Sequence, residues 1–446
     1  MLLGTDNEGW TAWHWAAKEG NLEVLHKIWE LAEENLTSEE LKNKLLLGTD
    51  NEGWSAWHRA AKEGNLEVLH KIWEWAEEKL TTEKINNKVL LCPDNEGKTA
   101  WHYAAYNGNL EVLHKIWLCA KEKITTENTI NKFLLGRHKD GKTAWHLPAE
   151  KNNLKVLHEI WKRAKEKLTT EDANNKLLLG TDNKGSTPWH YAAHLDKLKV
   201  LHEIWKCANE KLTREEINNK LLLGTDNKGR STWHYAAENG SLVVLHEIWD
   251  CAEDTLTAEE INNKLLLSTD KEGKIAWHLA AEKSNLEVLL KVREWAEEKL
   301  TTQEVNNKLL LGTDNEGRTA WHWAAGCGHL LVLDKIWELA EKKLTTEEIK
   351  NKLLLGTDYK GRTALQLAAK KGNFKVLHKM REWAEKKLTT EEINNKLLFS
   401  TDSEGRTGGQ LAAEWFKLQA LENYGIWPKK INNRGDKYTI VIRYRQ

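Results

Sequence analysis

Asp50-Asn51-Glu52-Gly53-Trp54-Ser55-Ala56-Trp57-His58-Arg59-Ala60-Ala61-Lys62-Glu63-Gly64-Asn65-Leu66-Glu67-Val68-Leu69-His70-Lys71-Ile72-Trp73 decides the fold, because it recurs almost from end to end of the chain. The aspartates that open the copies are Asp6, Asp50, Asp94, Asp182, Asp226, Asp270, Asp314, Asp358 and Asp402. They keep a step of 44 residues, and His138 fills the one gap. A fixed period of this size marks a solenoid, in which each unit buries its apolar face against its neighbours. An array sets aside the usual relation between length and domain number. The 446 residues therefore read as one array over 1–425 and a non-repeat tail over 426–446. In the tail, Lys437-Tyr438-Thr439-Ile440-Val441-Ile442-Arg443-Tyr444 alternates like a strand.

Within a unit, residues 50–53 read as a turn, since Asp and Asn accept local backbone bonds and Gly supplies a positive φ. A first helix, helix A, follows from Ser55, a hydroxyl N-cap, to about Glu63. Gly64, with Gly20, Gly108, Gly240, Gly328 and Gly372 in the same place, reads as its left-handed stop. Asn152, Asp196 and Ser284 stand there in other copies. Asn65 reads as the cap of helix B, whose broad apolar face (Leu66, Val68, Leu69, Ile72, Trp73, Ala76, Leu80) suits the inner layer of a stack. Thr213-Arg214-Glu215-Glu216 and its equivalents read as a capping box opening a short helix C.

Gly185-Ser186-Thr187-Pro188-Trp189-His190, followed by Ala192-Ala193, resembles the ankyrin signature, and residues 64–69 are similar to the opening of the second ankyrin helix. The resemblance implies an all-α ankyrin-type solenoid of stacked helix-turn-helix repeats. An ankyrin unit has about 33 residues. The longer unit here carries an extra short third helix, and Trp replaces the signature Leu at Trp13, Trp57, Trp101, Trp145, Trp189, Trp233, Trp277 and Trp321.

Charge narrows the partners. Sixty-six basic residues stand against 67 acidic ones, spread evenly, so neither nucleic acid nor anionic lipid meets a basic field. No run of eighteen apolar residues is present, and no membrane span is expected. Met1-Leu2-Leu3-Gly4-Thr5 enters the pattern in mid-repeat and matches neither a signal peptide nor a polar cap. Cys119, Cys207 and Cys251 share one repeat position, which places their side chains about 8–10 Å apart, too far for a bridge. Reduced cysteines point to a cytoplasmic protein.

Two histidine ladders invite a metal reading. One is His14, His58, His102, His146, His190, His234, His278 and His322, and the other is His26, His70, His114, His158, His202, His246 and His378. No His-x₃-His or Cys-x₂-Cys spacing supports zinc. The family resemblance implies instead that the first ladder ties neighbouring turns together through backbone hydrogen bonds. The tryptophan ladders read as core, and Asn43, Asn87 and their equivalents as loop-bracing amides. No phosphate loop, nucleophile elbow or His-Glu-x-x-His is present, and a ladder of equivalent carboxylates offers no asymmetric catalytic constellation. The chain thus reads as a non-enzyme without cofactor or metal.

The informative positions are those that vary inside the fixed frame. In ankyrin-type binders, the resemblance implies, partners touch the turn tips and the outward residues of helix A. Here the residue after the turn Gly, the one after the signature His, and the end of helix A supply Trp10, Trp15, Trp54, Arg59, Lys98, Tyr103, Tyr106, Tyr191, Arg230, Tyr235, Arg318 and Trp323. Trp, Tyr and Arg dominate binding hot spots. The tips are expected to be exposed, while the residue after the His divides evenly between core and surface. The expected role is a monomeric scaffold that binds a protein partner along a concave, tip-lined face. The alternative is the ankyrin arm of a larger channel, toxin or multidomain protein. A weak unit or hinge is expected near residues 144–153, where Pro148 interrupts helix A.

Overall fold

The computed structural model describes residues 3–413; the tail over 426–446, with its expected strand, and most of the tenth unit lie outside them. Unit two shows the frame. Asp50 Oδ1 accepts from the backbone N–H groups of Glu52 and Trp54, both at 2.9 Å, and closes the turn. Helix A (Ala56–Glu63), helix B (Leu66–Lys79) and a shorter helix C follow. Helices A stack on helices A and helices B on helices B from unit to unit, and the described residues contain no β-strand beyond isolated bridges such as Thr49 to Ser55. The fold is the all-α solenoid of three-helix units that the period implies.

Helix A starts on a capping box of unusual chemistry. The backbone N–H of Ser55 donates to His58 Nδ1 at 3.2 Å, so a histidine does the work usually given to Glu or Gln. It ends at Gly64, with φ of 85°. Asn152, Asp196 and Ser284 also adopt positive φ, at 61°, 56° and 65°. A second pressure acts at this position. A Cβ on Gly64 would lie 3.2 Å from the Asn109 side chain. The Asn109 amide donates to the carbonyls of Ala61 and Lys62 at 3.1 and 2.9 Å, tying helix B of one unit to helix A of the previous one. Asn65, Asn285 and Asn373 do the same one unit apart from Gly20, Gly240 and Gly328. Where the stop residue is Asn152, Asp196 or Ser284, the partner position holds Lys197, Ser241 or His329 instead.

Asn65 was expected to cap helix B, and that expectation needs correction. Its side chain makes no capping bond; its amide nitrogen donates instead to the Ala17 and Lys18 carbonyls of the previous unit. Side-chain capping of helix B survives at Asn21, Asn153 and Ser241. The bracing amides of helix C are likewise one residue away from the expected set. Asn86, Asn174, Asn218, Asn262 and Asn306 reach the last carbonyl of the next helix B at 2.9–3.1 Å. Asn43 and Asn351 instead bond Glu39 and Glu347 of their own helix.

Helix C opens on the expected capping box, Thr37 with Glu40, then widens into a π-helix over Leu41–Leu46. The N–H of Leu47 donates five residues back, to Lys42 O at 3.0 Å. The apolar spacing explains it: Leu41, Leu45 and Leu46 are buried, steps of four and five that match roughly 4.4 residues per turn. In unit three the cap moves to Thr126 and the inward residues are Ile130, Phe133 and Leu134, steps of three and four. That segment is an ordinary α-helix, Glu127–Leu135.

The core is a ribbon of indoles. The signature tryptophans from Trp13 to Trp321 are all exposed by 1% or less. On helix B, Trp29, Trp73, Trp117, Trp161, Trp249 and Trp337 are buried and Trp205 is half-buried. Trp29 lies face to face on Trp75 at 4.4 Å and Trp249 on Trp295 at 4.5 Å. Cys119, Cys207 and Cys251 occupy the position of Trp75 as free, buried thiols; burial pushes Cys119 and Cys207 up to about 12.

Unit four departs from the frame in its own way. Helix A begins only at His146 (His146–Lys151), after a turn through Ala144 and Trp145. Pro148 therefore sits in the first helical turn, where its missing N–H has no intrahelical acceptor to lose. The late start costs a ladder bond: His146 Nε2 is buried without a hydrogen-bond partner, as is His138 Nε2.

Candidate partner-binding face

The signature histidines join units along one edge of the stack. His58 Nδ1 accepts from the Ser55 N–H, so Nε2 carries the hydrogen and donates to Cys92 O, just ahead of the next turn, at 2.9 Å. The same bond runs from His102 to Gly136, His190 to Gly224, His278 to Gly312 and His322 to Gly356, at 3.0–3.1 Å. Gln366 replaces histidine in unit nine and reaches Ser400 O at 2.8 Å. Desolvation holds these imidazoles below their ordinary value, His102 and His322 at about 4. The second histidine ladder faces solvent, where His158 and His202 meet Glu203 and Glu247 of the next unit at 3.2 and 3.1 Å. Among the described residues, no three His, Cys, Asp or Glu side chains gather as metal ligands.

The turn aspartate holds a second line of residues. Its Oδ1 closes the turn, and its Oδ2 takes a donor from the variable position after the signature histidine. Trp15, Arg59, Tyr103, Tyr191, Tyr235 and Trp323 all supply that donor, Tyr191 at 2.7 Å and Trp323 at 3.0 Å. Where this position is leucine, the tip cation substitutes. Arg362 reaches Asp358 Oδ2 at 2.8 Å and Arg406 reaches Asp402 Oδ2 at 3.1 Å. In unit seven, with Leu279, Arg230 of the preceding unit reaches Asp270 at 3.1 Å. In unit four the acceptor and its donor are lost together, as His138 and Leu147.

This geometry corrects the expected exposure of the tips. Trp10, Trp54 and Arg230, beside the turn glycines, are buried, and so are Arg59, Tyr103 and Tyr235. Lys98, Tyr191, Arg318 and Trp323 are half-buried. Only Trp15, at 42%, and Tyr106, at 37%, are exposed. The cause is hairpin crowding. Each turn donates to the one before it, as Asn51 N–H to Glu8 O at 3.1 Å, so the residue after the glycine folds back between neighbours. The Arg59 guanidinium carbon lies 3.7 Å from the Trp10 ring centre and 4.2 Å from that of Trp54, and Trp54 packs on Tyr103 at 4.2 Å. Removing Trp10 or Trp54 would therefore disturb the stack.

The surface that remains is a groove between the polar turn residues and the end of helix A. Over units two to four it forms a hollow of about 440 Å³, lined by Glu52, Trp54, Lys62, Lys98, Tyr103 and Tyr106 among others. Four of the expected residues meet there. Asn51, Glu52, Lys62, Asn95 and Glu96 also line it and were not foreseen; the polar Asp-Asn-Glu-Gly turn was the available signal, since its middle residues point away from the aspartate clamp. A second hollow of about 430 Å³ lies over units eight and nine, with Arg318 and Trp323.

No helix among the described residues is long and apolar enough to cross a membrane. No curated protein matches the chain. The ankyrin-repeat family model matches residues 8–32, which span the turn, helix A and the first part of helix B of unit one. Close variants of that unit recur through the described residues, with the histidine bond lost in unit four and made by Gln366 in unit nine, so the chain is similar to the ankyrin-repeat family.

Proposed function

We propose that this chain is a non-catalytic scaffold that binds a protein partner in the groove between its turns and its helix A ends. Ankyrin repeats in general are protein-interaction modules, which supports the class of function. The observation that carries the reading for this chain is the hollow over units two to four, where Tyr106, Lys98 and the edges of Trp54 and Tyr103 converge between polar turns. Tyr106 is exposed although the tips beside it are buried, and Lys151 caps its ring at 4.3 Å. A partner side chain entering this hollow meets aromatic faces already held in place, so little side-chain entropy is lost on binding.

Site-specific photo-crosslinking tests the reading. A benzophenone side chain at position 106 should capture a defined partner from native lysate. The same probe at position 118, on the outer face of helix B, should not. Equal capture from both positions would overturn the assignment of the face.

A further inference from the structure

A charge rule runs along the groove. The residue after the turn glycine is answered eight positions later, at the end of helix A. Lys142 meets Glu150 at 2.8 Å, Arg230 meets Glu238 at 2.7 Å and Lys274 meets Glu282 at 2.8 Å. In units one and two the pair is inverted in kind. Lys18 and Lys62 lie over the Trp10 and Trp54 rings at 5.3 and 4.9 Å. Every one of these tips is neutralised or covered from within its own unit.

Units eight and nine break the rule, as does unit three, where Tyr106 stands eight positions after Lys98. Gly326 stands where a carboxylate should answer Arg318, and Lys370 stands where one should answer Arg362. Arg318 pairs instead with Asp314 and Glu316 of its own turn, both at 3.0 Å, and Arg362 with Asp358 at 2.8 Å, so the unanswered charge of the hollow is that of Lys370 and Lys371. Lys370 and its neighbour Lys371 have no carboxylate within ion-pair distance among the described residues. Both line the hollow of about 430 Å³ together with Arg318, Trp323, Arg362 and Glu282, and Glu282 is engaged by Lys274. The hollow over units two to four has no such bias, since Lys62 and Lys98 share it with Glu52 and Glu96.

We propose that the hollow over units eight and nine is the subsite for an acidic segment of the protein partner, with carboxylates on Lys370 and Lys371 and an aromatic or aliphatic side chain against Trp323. This rests on the protein-binding reading above and gives it a chemistry. The missing glutamate at position 326 leaves the room: a Cβ there would meet only Leu367 Cβ, at 3.6 Å. Trp323 is held for the contact by Lys274 at 3.7 Å and Arg318 at 4.0 Å from its ring centre. Cys327 is exposed at the rim and reports on occupancy.

The test uses the full chain and a fluorescein-labelled, glutamate-rich peptide with one central phenylalanine. Binding should be seen by anisotropy, weaken as salt rises, and slow alkylation of Cys327 as followed by mass spectrometry. Gly326→Glu restores the charge rule and fits the space, so it should weaken binding at least ten-fold with the melt retained. Lys370→Glu with Lys371→Glu should do the same. Three outcomes overturn the proposal: no binding by the wild type, tighter binding of an oligonucleotide of equal charge, or binding that neither charge change affects. A Tyr106→Ala arm separates the two readings. Loss with Tyr106→Ala but not with Gly326→Glu would keep the groove as a binding face and remove this subsite.

Discussion

His234 Nε2 donates to the carbonyl oxygen of Ser268, 34 residues on and just ahead of the next turn, at 3.0 Å, while its Nδ1 accepts from the backbone N–H of Ser231 at 3.2 Å. One neutral imidazole therefore caps its own helix and ties the next turn. Gln366 performs both tasks with an amide, accepting from Thr363 N–H at 2.8 Å and donating to Ser400 O at 2.8 Å. His234→Gln should accordingly leave the melt nearly unchanged. His234→Ala strands a buried N–H and a carbonyl, and should cost about 2–3 kcal/mol. Urea unfolding of the two variants decides the matter, and equal losses would refute the shared role.

The ladder makes stability depend on acid. Burial lowers His234 to about 4 against an ordinary 6.5, with Asp270 offsetting part of the effect and Arg230 adding to it. His102 and His322 lie at about 4 and His146 at about 3, from the same cause. Below pH 6.5 the unfolded chain binds protons that the folded ladder refuses. Stability is therefore full above 6.5, falls as the pH drops towards 4, and takes no further loss from these groups below that. A drop from 6.5 to 4 is worth roughly 3 kcal/mol per histidine. Denaturant midpoints should fall steadily from pH 7 to 4.5, and less steeply when His234, His278 and His322 are all replaced by glutamine.

The aspartate clamp should be transferable between units. Tyr191→Leu removes the donor to Asp182 Oδ2 and should destabilise by about 1–3 kcal/mol, the range for a stranded buried acceptor. Adding Ser186→Arg copies the arrangement of Leu367 with Arg362 and should recover most of the loss. A double variant no more stable than Tyr191→Leu alone would show that the two donors are not equivalent.

Most signature indoles keep a buried, unpaired N–H: Trp13, Trp57, Trp101, Trp145, Trp233, Trp277 and Trp321. Trp189 is the exception, because Thr232 of the next unit accepts from it at 3.1 Å where most other units have alanine. Ala320→Thr places the same hydroxyl beside Trp277 and should raise stability by about 1 kcal/mol. A lower melting temperature would mean that crowding outweighs the new bond.

Unit four should open first. His138 and His146 each bury an unpaired Nε2, and helix A is shortened to His146–Lys151. Amide exchange across 144–153 should be faster than across 232–241 in unit six. Pro148→Ala should change stability by less than about 1 kcal/mol, since a first-turn proline forfeits no intrahelical bond. A larger gain would restore the proline itself as the cause of the weakness.

The repeat alone determined the architecture. A 44-residue period, a hydroxyl cap before most copies of helix A and a glycine after most of them admit one kind of stack, and the tryptophan ladder could only be its core. The spacing of Leu41, Leu45 and Leu46 against Ile130, Phe133 and Leu134 also carried the π-helix, though it is legible only when two units are laid side by side. What the stack decided was exposure. Trp10, Trp54 and Arg230 are polar or aromatic residues beside a turn, and one unit taken alone would leave them in solvent. They are buried because the hairpin 44 residues away folds against them, and no local pattern encodes that distance. The free surface moved accordingly to the ends of helix A. There Gly326 and Lys370 decline to answer their tips, and only the pairing of tip with helix end in space gives that refusal a meaning.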